Sequence, residues 1–197
     1  MVRRTRAEME ETRATLLAVA RRMFAEQGYA ATSMDDLTAQ GGLTRGALYH
    51  HFGDKKGLLA AVVEQLDAEM DERLIAISDS AENPWDGFRQ RCRAYLEMAQ
   101  EPQIQRIVLR DAKAVLGGCS VESQQHCIES MQVLIRNLIE QGIVVDTGAQ
   151  ALAALIYGSL SEAAFWIAEA EGSSTRLAEG LAALDLLLRG ILLKQPS

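Results

Sequence analysis

The stretch Thr32–Leu59, TSMDDLTAQGGLTRGALYHHFGDKKGLL, crowds helix starts, helix stops and a glycine corner together so closely that few folds accommodate it. Ser33, with Asp36 three residues later, is a capping-box-like start in which Asp replaces the usual Glu or Gln. Met34 and Leu37 then share one apolar face, and the segment stops at Gly41-Gly42. Glycines there supply the left-handed geometry that a sharp corner between helices needs. Leu43 follows as the apolar plug of the turn, and Thr44 is a second N-cap in front of a short helix, Arg45 to Phe52. Leu48 and Phe52, spaced i,i+4, face the core together. Gly53-Asp54 closes that helix and caps another that begins Lys55-Lys56. Helix, tight turn, helix is the helix-turn-helix pattern, whose second helix enters the major groove of DNA with its N-terminal residues leading.

Charge placement points the same way. A helix N-terminus is electropositive, so cations there are unfavourable unless an anion arrives. Arg45 sits on the first turn of one helix, and Lys55 and Lys56 on the first turn of the next. Spare N–H groups at such ends bind anions readily. A single cation of this kind reads as a solvated surface charge; three behind two capped turns read as a phosphate-facing surface. Gly46 costs its helix about 1 kcal/mol relative to Ala, which close approach to a partner backbone or internal packing explains equally well. The whole chain of 197 residues carries −7. Residues 1–60 nevertheless hold nine Lys/Arg against seven Asp/Glu, while residues 61–197 hold eleven against twenty. The basic charge is therefore segregated into the part that carries the helix-turn-helix.

From about Arg13 to Leu59 the residues resemble the DNA-binding domain of TetR-family transcriptional regulators. The resemblance rests on Phe24, Gly28-Tyr29, Thr32-Ser33, Asp36-Leu37, Gly42-Leu43-Thr44, Gly46, Leu48-Tyr49, His51-Phe52, Lys55 and Leu58. Gly41 and Thr38 depart from it, since alanine is usual at both positions. The resemblance implies an all-α protein of about nine helices. A helix-turn-helix DNA-binding domain would occupy 1–53 and a helical regulatory and dimerisation domain 54–197, with 54–78 as the connecting helix. It implies double-stranded DNA, a second copy of the chain and a small-molecule effector as partners. Thr44 would cap the recognition helix and touch phosphate, and Arg45, Ala47 and His50 would face base edges. Tyr49 and Lys55 would grip phosphates, which positions rather than specifies. Ser33 would bring its helix N-terminus to the backbone, and Gly46 would permit close approach.

The rest of the chain reads as helix throughout, without strand-like alternation, repeats or low-complexity tracts. One helix runs from about Glu10 to Gln27 and is stopped by Gly28; another runs from Asp54 to about Ser78. Asn83-Pro84 is an N-cap followed by proline at the first helical position, opening a helix from Trp85 to about Gln100. Pro102 marks a further start that ends at Gly117-Gly118, and Ser120 opens a long helix that ends at Gly142. The last two helices span about Gly148–Glu171 and Thr175–Leu193. No apolar run follows Met-Val-Arg-Arg-Thr-Arg, so no secretory leader is expected. The uncharged stretch Thr147–Ser161 is too short for a membrane span. A cytoplasmic protein with reduced Cys92, Cys119 and Cys127 is expected. The cysteines lack CxxC spacing and only three histidines are present, so neither a metal site nor a cofactor is implied. No Ser/His/Asp arrangement or phosphate loop supports an enzyme.

Two surfaces of the larger part carry expectations. The Gly148–Glu171 helix is apolar or small around most of its circumference, which requires burial on more than one side. The following helix bears a seam of Leu177, Leu181, Leu184 and Leu188 at 4-3-4 spacing, continued three residues on by Ile191. Together with Leu152, Ile156 and Ala163 these form the candidate dimer interface, which the resemblance implies is a four-helix bundle made with a second subunit. Candidate walls of an effector cavity are Phe88, Tyr95, Arg106, Arg110, His126, Met131, Phe165 and Trp166, with Trp85 and Met98 beside them. Apolar walls with a few polar groups are usual for such cavities, although each of these residues also suits a core. The function that follows is a homodimeric repressor released from a pseudo-palindromic operator by a small molecule. The alternative is a DNA-binding regulator controlled by a protein partner or by its thiols.

Overall fold

In the computed structural model, residues 5–169 and 174–193 are described. The basic run Met1–Arg4 and the expected end of the Gly148–Glu171 helix lie outside them. Nine α-helices and one π-helical segment make up these residues, with no named strand among them. The described chain forms two compact units, each discontinuous in sequence.

The first unit comprises the described residues up to Ala68 together with Pro102–Gly118. It is larger than the stretch 1–53 because its core is. Leu16, Ala20 and Phe24 of α1 (Arg6–Ala31) are sealed together with Leu37 of α2 (Met34–Gly41) and Leu48 of α3 (Arg45–Phe52). The first half of α4 (Lys55–Asp79) adds Leu58, Leu59, Val62 and Leu66 to the same cluster, and Ile107 and Ala112 complete it. The last two belong to a π-helical segment, Ile104–Ala112, that continues into the single turn of α6 (Lys113–Leu116).

Helix α1 starts earlier than the apolar periodicity suggests. The Thr5 side chain accepts from the Glu8 backbone N–H at 3.3 Å, and the Glu8 carboxylate accepts from the Thr5 N–H at 2.7 Å. That reciprocal pair satisfies two of the N–H groups a helix start leaves open. Ser33 makes only half of such a box. Its hydroxyl accepts from the Asp36 N–H at 3.0 Å, but the Asp36 carboxylate, one methylene shorter than Glu, takes the Ser33 hydroxyl at 2.5 Å.

At the corner between α2 and α3 only Gly42 is left-handed, with φ 61°; Gly41 is the last residue of α2. The Leu43 N–H returns to the Thr38 carbonyl at 2.9 Å, which closes the helix end.

The second unit comprises Glu69–Glu101 and the described residues from Cys119 onward. Asn83 caps α5 (Pro84–Met98) by accepting from the Asp86 N–H at 2.9 Å, and Ser120 caps α7 (Val121–Glu140). Helix α8 (Ala149–Glu169) packs along α7, and α5 touches α7, α8 and α9 (Ser174–Gly190). Phe88, Cys92, Leu96, Ile135, Leu138 and Leu160 are among its buried residues. By length and composition α8 could cross a membrane, with 33% of its apolar stretch buried; the buried part packs on α5, α7 and α9. Leu192 and Leu193 do not extend α9. They pair in extended form with the chain after α7, where the Leu193 N–H donates to the Ile143 carbonyl at 2.9 Å.

The two glycines of the corner should separate cleanly. A Cβ at Gly41 meets only Leu43, at an ordinary 3.5 Å, so Gly41→Ala should stabilise the protein by about 0.5–1 kcal/mol. Gly42→Ala places a side chain at φ 61° and should destabilise it by about 1–2 kcal/mol. Urea unfolding midpoints check both; a shift of the same sign in the two variants would contradict the assignment of the corner to Gly42 alone.

Candidate nucleic-acid interface

Helix α3 is eight residues long and turns one residue, Leu48, fully inward. Thr44, Arg45, Gly46, Tyr49 and His50 are exposed and Ala47 is half-buried, so the N-terminal part of the helix is presented outward. The Thr44 hydroxyl accepts from the Ala47 N–H at 3.2 Å. Gly46 has nothing near its missing Cβ except that hydroxyl, at 3.9 Å, so internal packing does not require a glycine there. Ser33, the cap of α2, is also exposed.

Arg45 is not free. Its guanidinium is hydrogen-bonded and ion-paired to Asp35 on the first turn of α2, and this bond raises its pKa above the ordinary value. Both partners are more than half exposed, so the pair orients Arg45 and contributes little to stability.

Lys55 occupies the first turn of α4 and is half-buried, with its Nζ 4.2 Å from the centre of the Tyr29 ring. Burial lowers its pKa, and the carboxylate of Asp111 partly opposes that shift. Tyr29 is itself pushed up, by burial first and by Asp54 second. Asp54 caps α4 by accepting from the Gly57 N–H at 2.7 Å. The corner between α3 and α4 is tight: a Cβ at Gly57 would lie 2.0 Å from the Phe52 carbonyl oxygen.

The first unit thus brings together all the sequence-chosen DNA residues: Ser33, Thr44, Arg45, Gly46, Ala47, Tyr49, His50 and Lys55. Asp35, Tyr29, Gly57 and Asp111 were not singled out for the roles they take here. Tyr29 followed a recognisable glycine stop, but nothing local marks Asp111, which lies 82 positions further on.

The effector candidates do not gather in the same way. Arg106 belongs to the first unit, where its Nη2 donates to the Gln27 carbonyl of α1 at 3.0 Å, beside Gly28. Arg110 lies in that unit too, on the π-helical segment. In the second unit Phe88 and Met131 are buried core residues, and Tyr95 and Phe165 are half-buried. His126 is largely exposed, 3.8 Å from Asp71, whose other oxygen accepts from buried Arg91 at 2.8 Å. Trp166 is exposed, with the Arg176 guanidinium 5.1 Å from its ring centre. A groove of about 290 Å³ between α8 and α9 is lined by Leu96, Ala163, Trp166 and Leu187 among others, and an open depression along α8 adjoins it. Among the described residues no cluster of three or more His, Cys, Asp or Glu could hold a metal ion.

Part of the leucine seam turns into the protomer's own core. Leu184 and Leu188 are buried within the protomer, where they serve the core of the second unit, and Leu177, Leu181, Leu152, Ile156 and Ala163 are half-buried. The face left open carries Leu155, Leu186 and Leu187, each at least 60% exposed. Periodicity identified the stripes of α9 but not which stripe its own core would take.

A capped, outward-facing second helix on a helix-turn-helix, followed by a larger helical unit, defines the class of DNA-binding regulators. Comparison with known proteins agrees. The family model for bacterial regulatory proteins of the tetR family matches residues 16–62, and that for the tetracyclin repressor-like C-terminal domain matches residues 85–191. The crystal structure of a TetR-family transcriptional regulator from Pectobacterium atrosepticum is 76% identical, with a TM-score of 0.93 over 98% of this chain and 100% of that one. The HTH-type transcriptional regulator TtgR of Pseudomonas putida is 41% identical over 80 residues, which span 41% of this chain but only 38% of TtgR. The transposon Tn10 TetC protein of Escherichia coli is 26% identical over 151 residues, 76% of each chain. The chain belongs to the TetR family.

The α3–α4 corner gives a direct test. Gly57→Ala drives a Cβ into backbone rather than into a movable side chain, and should cost about 1–3 kcal/mol. Thermal unfolding with an unchanged midpoint would show that the corner is looser than described.

Proposed function

We propose that this chain is a DNA-binding transcriptional repressor. It works as a cytoplasmic homodimer and leaves its pseudo-palindromic operator when a small molecule binds the second unit. The observation that carries the DNA-binding part is the N-terminal half of α3, capped and turned outward while Leu48 anchors the helix in the core. Thr44 and Ser33 bring helix N-termini to phosphates. Arg45, Ala47 and His50 face base edges, with Gly46 allowing close approach, and Tyr49 and Lys55 hold the backbone. A base-specific arginine must desolvate and turn its guanidinium edge-on to guanine, and the bond to Asp35 pre-orients it.

The open face of α8 and α9 supports the dimer. Leu155, Trp166, Leu186 and Leu187 are large apolar side chains left in water, and contiguous apolar surface of this kind marks an interaction site. Effector control rests on family membership. The half-buried Tyr95 and Phe165 remain its best candidates, and Arg106 leaves that set because it is bonded to the Gln27 carbonyl of α1.

Selection from a random duplex pool should enrich a two-fold symmetric site; enrichment of no symmetric site would overturn the dimeric reading. With the selected duplex, Lys55→Ala should weaken binding and flatten the plot of log affinity against log salt by about 0.9 per protomer. An unchanged slope would remove Lys55 from the contact set.

Leu155→Glu should place a charge in the open face, halve the mass measured by sedimentation and weaken operator binding with little change in thermal stability of the protomer. A dimer that persists would move the interface elsewhere.

A further inference from the structure

Helix α1 is interrupted at Gly28, whose φ of 80° and ψ of 165° lie outside any helix. The break leaves a carbonyl on one side, Gln27, and an amide on the other, Tyr29, each without its intrahelical partner. Both partners come from the π-helical segment. Arg106 Nη2 donates to the Gln27 carbonyl at 3.0 Å, and the Asp111 carboxylate accepts from the Tyr29 N–H at 2.8 Å. Space is closed around the break as well: a Cβ at Gly28 would lie 2.3 Å from the Arg106 guanidinium.

The π register explains how two residues five apart reach one site. In an α-helix of about 3.6 residues per turn, positions five apart point about 140° away from each other. The wider i→i+5 turn of a π-helix swings them towards the same side. Ile107 and Ala112, fully buried in the same core, hold the segment in place.

The grip reaches the DNA-facing surface through Tyr29. Its ring lies under the Lys55 ammonium, 4.2 Å from ring centre to Nζ. Asp111 is also close enough to act on the Lys55 charge. We propose that Asp111 is a positioning residue for DNA binding: by fixing the Tyr29 amide at the Gly28 break, it sets the ring against which Lys55 is aimed at a phosphate. The inference rests on the reading of Lys55 as a phosphate contact. It makes the segment 104–112, which presents no residue to DNA in that reading, a determinant of DNA affinity.

A double-mutant cycle on the full chain tests it, with one selected duplex as probe, titrated at several salt concentrations. Asp111→Ala should weaken binding about as much as Lys55→Ala, on the order of tenfold for a lost charge-assisted contact. It should also flatten the salt dependence by the same amount, and add nothing further in the Lys55→Ala background. Asp111→Asn keeps an oxygen that accepts from the Tyr29 N–H, and should bind within about twofold of the unaltered protein if the hydrogen bond carries the effect. It also guards against the objection that Asp111→Ala fails to fold. Asp111→Ala binding as well as or better than the unaltered protein would overturn the proposal. So would an Asn variant as weak as the Ala variant, or losses that add independently of Lys55. An unchanged salt slope in Lys55→Ala alone removes the phosphate contact, and the proposal with it. Additive losses leave that contact standing and reject only the role of Asp111.

Discussion

The interruption of α1 at Gly28 sets the terms for the whole first unit. A helix that stops inside a folded unit leaves polar backbone groups that must be met, at a cost of about 1–3 kcal/mol for each one left unpaired. Here the missing partners are the side chains of Arg106 and Asp111, about eighty positions later in the chain. The three N-terminal helices therefore do not close their own hydrogen bonding, and they do not close their own core, since Ile107 and Ala112 are part of it. A unit read from sequence as a contiguous N-terminal piece is in fact completed by a segment from the middle of the chain.

Within that frame, α2 and α3 illustrate how very short helices are held. Eight residues are too few for a helix to persist in water by itself. Each is instead pinned at its start by a hydroxyl, Ser33 or Thr44, and through its middle by one fully buried leucine, Leu37 or Leu48. Stability thus comes from one face and one end. Phe52 packs against the same core from the end of α3, and the exposed Arg45, Tyr49 and His50 are left to be chosen by what they contact. The Asp35–Arg45 pair fits this division. It is exposed and stabilises little, but it restricts where the guanidinium points.

The features legible in the sequence were those with local causes. The caps at Ser33, Thr44, Asp54, Asn83 and Ser120 announce themselves by a side-chain oxygen placed before a helical run. The left-handed corner was legible as a glycine pair, though only the φ values separate Gly42 from Gly41. The start of α1 was missed because Thr5 and Glu8 precede the first apolar residues, and periodicity begins only where there is something to bury. Gly57 carries no local mark, because its reason lies in the carbonyl of Phe52, at the end of another helix. The π register and the tasks of Arg106 and Asp111 depend on contacts across most of the first unit, and no window of sequence contains both sides of them. The leucines of α9 are a different case. Their spacing defines stripes, but a stripe is only assigned a side once the competing faces of α5 and α8 are placed.

The open stripe that remains on α8 and α9 bears on how much DNA this fold can read. One helix of eight residues contacts few base edges, and each correct bidentate contact discriminates by only about 1–3 kcal/mol. A single α3 therefore cannot pick one operator from a genome by base contacts alone. Doubling the contacts by symmetry supplies the missing discrimination, provided that the second copy is held at a fixed spacing. A fixed spacing needs an interface formed by well-packed elements, and Leu160, Ile167, Leu184 and Leu188 pack α8 and α9 into the second unit. The exposed leucines on their outer faces are costly for a protomer alone. In the proposed dimer those residues are covered by the second copy, which removes that cost.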